Sequence, residues 1–374
     1  MNKDWQEKTL GEICTVDWGN TSLTKSAYVE GGRFLAVSAA GCDGRIGHKE
    51  HEKNTPVLSA IGAQCGRMFF PEEDFTAIKN TITLTPINGT CTGSFLYQLL
   101  THVELPKRGA AQPFISKGDI QAFRVRIPLL AEQQRIVAKL EVAFAGLAKA
   151  KENAEKNLQN ARALFESHLQ SVFTNRGKGW ADKRLDEACD FQNGFAFKSN
   201  TFKTTGAPII RISNIQEGRI DTENRLVFFN PKDYRENLDR YRIVKGDLLI
   251  AMSGATTGKL GFNTENTVFY LNQRVGKFDP GANLNKQFLY YFLSTRVEEN
   301  LRISAGAAQP NLSTEQIKSF VIPLPPIKEQ AQIVLRLDAL AKETQRLASI
   351  YEQKLESLEA LQKSILHEAF SGNL

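Results

Sequence analysis

The stretch Gly109–Leu140, GAAQPFISKGDIQAFRVRIPLLAEQQRIVAKL, decides the fold because the chain repeats it 197 residues later (306 − 109), at Gly306–Leu337, as GAAQPNLSTEQIKSFVIPLPPIKEQAQIVLRL. A repeat of this length is weighed before any local structure, because it reveals one structural unit used more than once. The matched text runs from a loop through a short apolar run into a long segment without proline. Two copies of one scaffold are therefore the first expectation.

The repeat also reaches the beginning of each copy. Trp5, Lys8, Leu10, Glu12, Cys14 and Gly19 recur 175 residues later (180 − 5) as Trp180, Lys183, Leu185, Glu187, Cys189 and Gly194. Between these anchors, FLYQLL from Phe95 recurs as FLYYFL from Phe288. The second copy therefore gains 22 residues (197 − 175), which we expect in loops. Matched frames around divergent interiors indicate one scaffold that can perform two different tasks.

Each copy has a globular part followed by a helical part. The globular part is rich in Gly, Asn and Thr, and its short apolar runs between turn residues predict strands in a mixed α/β (α+β) fold. These runs are Phe34–Val37, Ile82–Leu84, Ile209–Ile212 and Asp247–Ala251. From Glu132 to about Phe173, and from Glu329 to about Phe370, the chain lacks Pro and is dominated by Ala, Leu, Glu, Lys and Gln. This composition predicts two long helices.

One apolar stripe runs along each predicted helix. It comprises Ile136, Leu140, Ala143, Leu147, Ala150, Ala154 and Ala161 in the first helix, and Ile333, Leu337, Leu340, Thr344, Leu347, Tyr351, Leu358 and Ile365 in the second. Steps of three and four residues are typical of a coiled-coil seam, and a single stripe leaves each helix in need of a partner. We expect the two helices to pack on each other, with a helix from another protein as the open alternative.

These patterns divide the chain into four segments. We expect a globular domain over 1–130, a central spacer helix over 131–175, a second globular domain over 176–326 and a C-terminal spacer helix over 327–374. Proline precedes both helices, at Pro128 and at Pro325 and Pro326. It is tolerated there because the first N–H groups of a helix have no intrahelical partner.

Composition and charge restrict the class of protein. Hydrophobic residues make up 41% and charged residues 24% of the chain, which is ordinary for globular proteins. No run approaches the ~18 apolar residues of a spanning helix, and the first residues lack the apolar core of a signal peptide, so we expect a cytoplasmic protein. The net charge of +6 is concentrated in 176–325, which contains 21 Lys and Arg residues and 16 Asp and Glu residues. This excess is compatible with phosphate binding.

The sequence carries no motif of a nuclease, methyltransferase or ATPase, so we expect no catalytic residue. Ser253–Leu260, SGATTGKL, has three residues between its glycines where a P-loop has four. We interpret it, with Gly62–Arg67, as a tight turn that presents Lys259 or Arg67. The five cysteines contain no C-x-x-C pair, and Cys42, His48, His51 and Cys65 fit none of the familiar zinc spacings. We therefore expect neither disulfides nor a metal site.

Taken together, these segments resemble the specificity subunits of type I restriction-modification systems. The phrases IPLLAEQQRIVAKLE and IPLPPIKEQAQIVLRLD, GAAQPFIS and GAAQPNLS, WADKRLDEACDFQNG and LQKSILHEAFSGNL are similar to that family's recurrent text. The resemblance spans the chain. It implies two similar target-recognition domains joined by two long helices, which form an antiparallel coiled coil and act as a spacer.

The resemblance also implies a function and partners. The chain would be a non-catalytic, sequence-specific subunit that recognises a bipartite target in double-stranded DNA. It would bind two copies of a DNA adenine methyltransferase subunit. The resemblance leaves open whether ATP-dependent restriction subunits also join the complex. S-adenosylmethionine, ATP and Mg²⁺ would belong to those partners, with no cofactor in this chain.

Candidate DNA contacts follow from the chemistry of base recognition. Arg reads guanine and Asn or Gln reads adenine, whereas Lys, Ser and Thr more often bind phosphate. The candidates are Arg33, Arg45, Arg67 and Arg108 in the first domain, and Arg211, Asn214, Arg219, Lys259, Arg274 and Arg302 in the second. Gln112 and Gln309 complete the set. Because both copies of GAAQP carry this glutamine while half-sites should differ, we expect it to give structural support or to contact phosphate.

Two alternatives stay open at this point. The chain could be a stand-alone DNA-binding adaptor or repressor, which would not co-purify with a methyltransferase. It could also be a single-chain methyltransferase whose site escapes motif inspection, in which case the isolated chain would turn over S-adenosylmethionine. The absence of a Gly-rich cofactor loop beside Asn230–Tyr234, NPKDY, argues against the second alternative.

Overall fold

The computed structural model describes residues 5–223, 226–304 and 311–374, and the side chains of all of these except 297–304. The chain divides into two compact units. Unit 1 comprises Met1–Asn157 and Ile350–Leu374, and unit 2 comprises Leu158–Ser349. Both divisions fall inside 45-residue helices, so each unit contains part of each long helix.

Unit 1 builds a mixed α+β globule on the first part of the chain. Its strands are β1 Gln6–Thr9, β2 Cys14–Trp18, β3 Phe34–Ser38, β4 Gly41–Ile46, β5 Val57–Ser59, β6 Met68–Phe69, β7 Phe75–Ala77, β8 Thr81–Pro86 and β9 Arg124–Ile127. Its helices are α1 Leu10–Ile13, α2 Gly93–His102, α3 Lys117–Gln121 and the first part of α4 Leu130–Thr174. The strands form sheets of order β1-β9, β2-β8-β5-β6 and β4-β3-β7.

Unit 2 repeats this order with additions. Its strands are β10 Ala181–Arg184, β11 Cys189–Asn193, β12 Ala207–Ile210, β13 Gly218–Arg219, β14 Val227–Phe229, β15 Arg242–Ile243, β16 Leu248–Ala251, β17 Leu260–Phe262, β18 Phe269–Leu271, β19 Val275–Pro280 and β20 Val321–Leu324. Its helices are α5 Leu185–Ala188, α6 Lys286–Ser304, α7 Thr314–Lys318 and part of α8 Ile327–Ser371. The sheets are β10-β20, β11-β19-β16-β17-β13 and β14-β12-β18-β15.

The sheets of the two units match strand for strand apart from two. The parallel pair β3 and β7 corresponds to the parallel pair β12 and β18. The expectation that the extra residues of the second copy lie in loops is wrong in part, because they include β13 and β15. Each of these short strands pairs with an outer strand and extends its sheet by one. A sheet edge accepts such an addition because its N–H and C=O groups are otherwise unpaired.

The long helices pack antiparallel within each unit. In unit 1, Ile136 and Leu140 near the start of α4 share a core with Leu366 and Ala369 near the end of α8. In unit 2, Leu169 and Phe173 near the end of α4 pack with Val334 and Leu337 near the start of α8. Every residue of the two predicted stripes is at least partly buried. The predicted coiled coil is therefore confirmed.

A buried glutamine ties the first turn of α4 to the globular part of unit 1. The side chain of Gln133 is fully buried. Its Oε1 accepts a hydrogen bond from the Thr92 amide at 3.0 Å, and its Nε2 donates to the carbonyls of Thr90 and Pro128 at 3.0 and 2.9 Å. The amide is therefore engaged with backbone both in the segment before α2 and in the segment before α4.

Gln330 does the same in unit 2. It is also fully buried, accepts from the Asn285 amide at 2.8 Å and donates to the carbonyls of Asn283 and Pro325 at 2.8 Å each. Buried polar groups must be paired to offset their desolvation. The repeat of Gln133 at Gln330 thus preserves a joint between helix and globule, a role that the sequence pattern does not reveal.

Within the described part of the chain, no helix combines the length and the apolar character needed to cross a membrane.

Candidate nucleic-acid interface

In unit 1, a glycine-bounded turn, Gly62–Arg67, joins β5 to β6. We name it the Arg67 turn. The Gly66 amide donates to the Ser59 carbonyl at 2.8 Å, and the Gly62 amide donates to the Pro113 carbonyl at 3.0 Å. Both glycines have positive φ, +103° and +90°, a region that side chains make costly. The exposed Arg67 ends the turn and donates from Nη1 to the Gln64 Oε1 at 3.2 Å.

In unit 2, Gly254–Lys259 joins β16 to β17 and is here named the Lys259 turn. The Gly258 amide donates to the Ala251 carbonyl at 2.7 Å, the counterpart of the Gly66 bond in unit 1. The Thr256 hydroxyl donates to the Ile212 carbonyl at 2.9 Å. A strand follows the turn, not the helix that a P-loop requires. The interpretation of both stretches as tight turns that present an exposed cation is confirmed.

A second loop in each unit meets these turns from the neighbouring strand. In unit 1 this loop is Ile78–Asn80, and the Asn80 carbonyl accepts a hydrogen bond from the Ala60 amide at 2.9 Å. In unit 2 it is Asn272–Arg274, and the Arg274 carbonyl accepts from the Met252 amide at 2.8 Å. The two loops therefore occupy one structural position.

Repeated glycines seat these two loops. A Cβ on Gly19 would lie 2.6 Å from the Ile78 carbonyl oxygen, and one on Gly194 would lie 2.0 Å from the Asn272 carbonyl oxygen. Contacts this short do not occur between real atoms, so the position admits only glycine without a shift of backbone. The recurrence of Gly19 as Gly194 in the sequence has this physical reason.

The GAAQP segment supplies a third loop beside the Arg67 turn. Arg108 and Phe114 close it with two backbone hydrogen bonds of 2.8 and 2.9 Å, and the Ile115 amide donates to the Ala60 carbonyl at 2.8 Å. Gln112 is exposed on this loop. In unit 2, Gln309 lies outside the described residues. Arg302 lies on α6, and its side chain is likewise outside the description.

The structure brings part of the first-domain candidates together. Arg67, Arg108 and Gln112 lie on adjoining loops, because the Arg67 turn is bonded to the GAAQP segment. Arg33 and Arg45 lie at the other end of the β3–β4 hairpin, whose turn is bonded to Ser59. All five are exposed. Unit 1 therefore carries two separate groups of candidates.

Carboxylates already engage two of these arginines. Arg45 makes a bidentate pair with Glu73, at 3.0 and 3.1 Å. Arg108 pairs with Asp119, whose pKa is held below its ordinary value by the Ser116 hydroxyl first and then by Arg108. Each would have to leave or share its carboxylate in order to bind DNA. Arg33 and Arg67 are exposed and make no ion pair with a carboxylate among the described residues.

In unit 2 the candidates gather more closely. Arg211 precedes the 3₁₀ turn Ile212–Asn214, to which the Lys259 turn is hydrogen bonded. Arg219 lies on β13, which runs parallel to β17 directly after Lys259. Arg274 follows Asn272, whose amide donates to the Ile210 carbonyl at 3.1 Å. The backbone segments that carry these four cations are therefore neighbours in unit 2.

Asn214 differs from the other candidates because it is fully buried. Its Oδ1 accepts from the Arg211 amide at 3.0 Å, and its Nδ2 donates to the Asp221 carbonyl at 3.1 Å. Both ends of the amide are engaged with backbone, which favours a structural role over base readout. The sequence pattern of an isolated Asn among apolar residues did not distinguish these two roles.

In unit 2, Arg219, Lys259 and Arg274 are exposed, whereas Arg211 is half-buried. Among the ion pairs formed by described residues, none involves Arg67, Arg219, Lys259 or Arg274. Unpaired, exposed cations attract polyanions, and surrounding amides can distinguish bases. The structure adds Lys79, Asn80, Gln273 and Asn311 to the candidate surface. Of these, only Asn311 had a signal in the sequence, because it directly follows the repeated GAAQP segment.

The described residues offer little for covalent chemistry. Burial raises the pKa of Cys14, Cys91 and Cys189 to about 12, so these thiols stay protonated. No three His, Cys, Asp or Glu side chains within the described ranges come together as a metal site. A surface cavity of about 450 Å³ is an open groove beside Tyr28 and Arg45.

A family model described as "Type I restriction modification DNA specificity domain" matches residues 2–157 and 177–358. Among curated proteins, the chain is 27% identical over 345 residues to the type I restriction enzyme MjaVIII specificity subunit of Methanocaldococcus jannaschii, covering 86% of this chain and 79% of the relative. It is 25% identical over 366 residues to the EcoKI specificity subunit of Escherichia coli, covering 91% and 74%. The match extends over both units.

Solved structures resemble the fold. A chain from a study of complex assembly and conformational transition in a type I R-M system superposes with a TM-score of 0.81 at 19% identity, covering 100% of this chain and 99% of that chain. The HsdS subunit from Thermoanaerobacter tengcongensis superposes with a TM-score of 0.63 at 20% identity, covering 100% and 98%. At these identities the likeness concerns the fold.

Proposed function

This chain belongs to the type I restriction-modification DNA specificity family, a family of DNA sequence recognition subunits, and we propose that its two units read the two halves of one split DNA target. One observation supports this proposal above the others. The same backbone positions, fixed by the same hydrogen bonds, carry different side chains in the two units, all exposed except the half-buried Asn80.

Each candidate surface combines the two kinds of contact that DNA recognition needs. Exposed Lys259 and Arg67 end their turns without a carboxylate partner among the described ion pairs and can bind phosphate, which sets affinity and register. Arg274 and Gln273 in unit 2, and Asn80 in unit 1, present the groups that recognise guanine or adenine in the major groove. Because these base-reading positions differ, each unit would read a different sequence.

We assign chemistry to partners, since the chain itself would be non-catalytic. Two copies of an adenine methyltransferase subunit would bind it, and ATP-dependent restriction subunits would be further partners. S-adenosylmethionine, ATP and Mg²⁺ would then be cofactors of those proteins. The complex would act in the cytoplasm, where it has access to chromosomal DNA.

Methylation mapping tests the proposal. The full chain is co-expressed with the methyltransferase encoded beside it, and methylated adenines are mapped across the host genome. We expect a motif of two short half-sites separated by an unread gap. A continuous short motif, or adenine methylation that does not depend on this chain, would count against two independent readers.

Domain replacement sharpens the same test. Replacing residues 1–130 with the equivalent segment of a relative should change one half-site and leave the other unchanged. The matched control replaces residues 176–326 and should change the other half-site. If either replacement alters both halves at once, the units do not read independently.

A further inference from the structure

Arg274 is a backbone outlier at the candidate surface of unit 2. Its φ is +64°, in the left-handed region that a residue other than Gly, Asn or Asp seldom adopts. The conformation is fixed from outside, because the Arg274 carbonyl must accept the Met252 amide at 2.8 Å. An outlier of this kind costs stability, and such outliers cluster at functional sites.

The fold does not require arginine at this position. In unit 1 the same position is Asn80, with φ +72°, and its carbonyl accepts the Ala60 amide at 2.9 Å. Asparagine is one of the residues that tolerate the left-handed region best. At this left-handed position, unit 1 therefore has a residue that tolerates the conformation, whereas unit 2 has an arginine, which tolerates it poorly.

The Arg274 side chain is held at one point and is otherwise open. It is exposed, and its Nη1 donates to the Asn311 Oδ1 at 3.3 Å. Within the described residues it makes no other hydrogen bond and no ion pair. One of five N–H donors is thus used, and the rest of the planar fork can bind a ligand. In unit 1 the counterpart of Asn311 is Phe114, which has no side-chain oxygen to accept such a bond.

Other cations of unit 2 can bind phosphate, so Arg274 is not needed for that role. Lys259 directly precedes β17 and Arg219 lies on β13, which pairs with β17; both are exposed and can provide positive charge for phosphate. A contact with phosphate would not require a guanidinium group held in one orientation. Arginine instead recognises guanine by donating two parallel hydrogen bonds to O6 and N7, which demands a fixed orientation.

We propose that Arg274 reads a guanine in the half-site of unit 2, and that its left-handed backbone is the structural cost of presenting the guanidinium there. This inference rests on the proposed function. It makes Arg274 a specificity-determining residue, with Asn311 as the residue that positions it. It also predicts that stability and specificity respond to substitution in opposite directions.

The test combines two measurements on the full chain. Arg274→Asn installs the residue of unit 1 and should raise the Tm of the purified protein by about 1–3 °C. In cells with the methyltransferase partner, the same variant should lose discrimination for one guanine of one half-site by roughly tenfold, with the other half-site unchanged. A fall in Tm would overturn the strain argument, and an unchanged motif would overturn the role in readout.

Two further variants make the outcome decisive. Asn80→Arg is the matched control for strain and should lower the Tm. Arg274→Lys keeps the positive charge but loses the planar guanidinium group. The preference for the same guanine should therefore weaken while methylation persists. Uniform loss of methylation at every motif site in Arg274→Lys, without a change in preference, would indicate a phosphate contact and overturn the proposal. If Arg274→Asn abolishes methylation, the base preference of Arg274→Lys at the same position decides whether Arg274 reads guanine.

The proposed function has a separate mode of failure. If the wild-type chain directs methylation to a continuous motif, the two-reader proposal fails whatever Arg274 does. If the wild-type motif is split and neither variant at Arg274 changes it, only the present inference fails.

Discussion

At the three matched positions of the candidate surface, unit 1 carries Arg67, Lys79 and Asn80, whereas unit 2 carries Lys259, Gln273 and Arg274. The backbone bonds that hold these positions are the same in both units, as are the glycines that seat the loops. The side chains at these positions differ, and all of them are exposed except the half-buried Asn80. A frame held by buried backbone bonds can therefore change what it reads without changing how it folds.

The two units differ in how a repeated tryptophan of the globular part contacts the start of the long helix. In unit 2 the Trp180 Nε1 donates to the Glu329 Oε1 at 2.9 Å. In unit 1 Glu132 is instead engaged by Arg135 through two bonds of 2.6 Å, and the buried Trp5 Nε1 has no hydrogen-bond partner among the described residues. The repeated Trp and Glu therefore tolerate different pairing, while the buried glutamines beside them do not vary.

The largest effect is expected where the two units are identical. Gln133→Leu and Gln330→Leu would each remove three hydrogen bonds to backbone groups, and each should lower the free energy of unfolding by roughly 2–5 kcal/mol. Chemical denaturation followed by circular dichroism measures this change. Gln134→Leu, at an exposed neighbouring position, is the control and should be close to neutral. A silent variant in either unit would show that the joint is not shared.

A smaller effect is expected where the units differ in type but not in charge. Arg67→Ala and Lys259→Ala should each weaken DNA binding severalfold and reduce the slope of log K against log salt by about 1, since each removes one phosphate contact. Binding is measured as a function of salt concentration for the complete complex. Arg45→Ala serves as the control because Glu73 already neutralises Arg45, and it should change the slope less. A changed motif in Lys259→Ala would instead assign Lys259 to base readout.

The smallest effect concerns pH and unit 1 alone. Burial, and then the charge of His367, lowers the pKa of His102. A histidine with a lowered pKa favours the unfolded state when it is protonated, so stability should fall as pH drops from above 6.5 through the folded-state pKa. Unit 2 has Thr295 at this position of the repeat. His102→Thr should therefore remove part of the acid sensitivity.

Thermal unfolding between pH 7.5 and 5.5 measures this effect, on the order of a degree in Tm. The pKa of His51 is also lowered, by burial, and it contributes to the sensitivity that remains in the variant. A pH dependence in His102→Thr as steep as that of the wild type would contradict the assignment.

The sequence by itself determined the parts of this protein that depend on local pattern and on repetition. The stripes from Ile136 and from Ile333 predicted helices that pack together, because helical periodicity places every third or fourth residue on one face. The recurrence of GAAQP and of Gly19 as Gly194 predicted a duplicated scaffold. Glycine spacing in Gly62–Arg67 and Gly254–Lys259 predicted the two tight turns. Each of these signals lies within a few residues or compares two aligned segments.

Tertiary structure alone decided which candidates share a surface. Arg33 and Arg45 separate from Arg67 because the length of the β3–β4 hairpin lies between them. The segments of Arg211, Arg219 and Lys259 are neighbours because β13 pairs with β17 and the Lys259 turn bonds to the Ile212 carbonyl. Asn214 becomes a buried support through its bond to the Asp221 carbonyl. The grouping of the cations depends on strand pairing between distant segments, which no local pattern encodes. The left-handed backbone of Arg274 likewise arises from a bond to Met252, 22 residues earlier (274 − 252), and only the folded chain brings the two together.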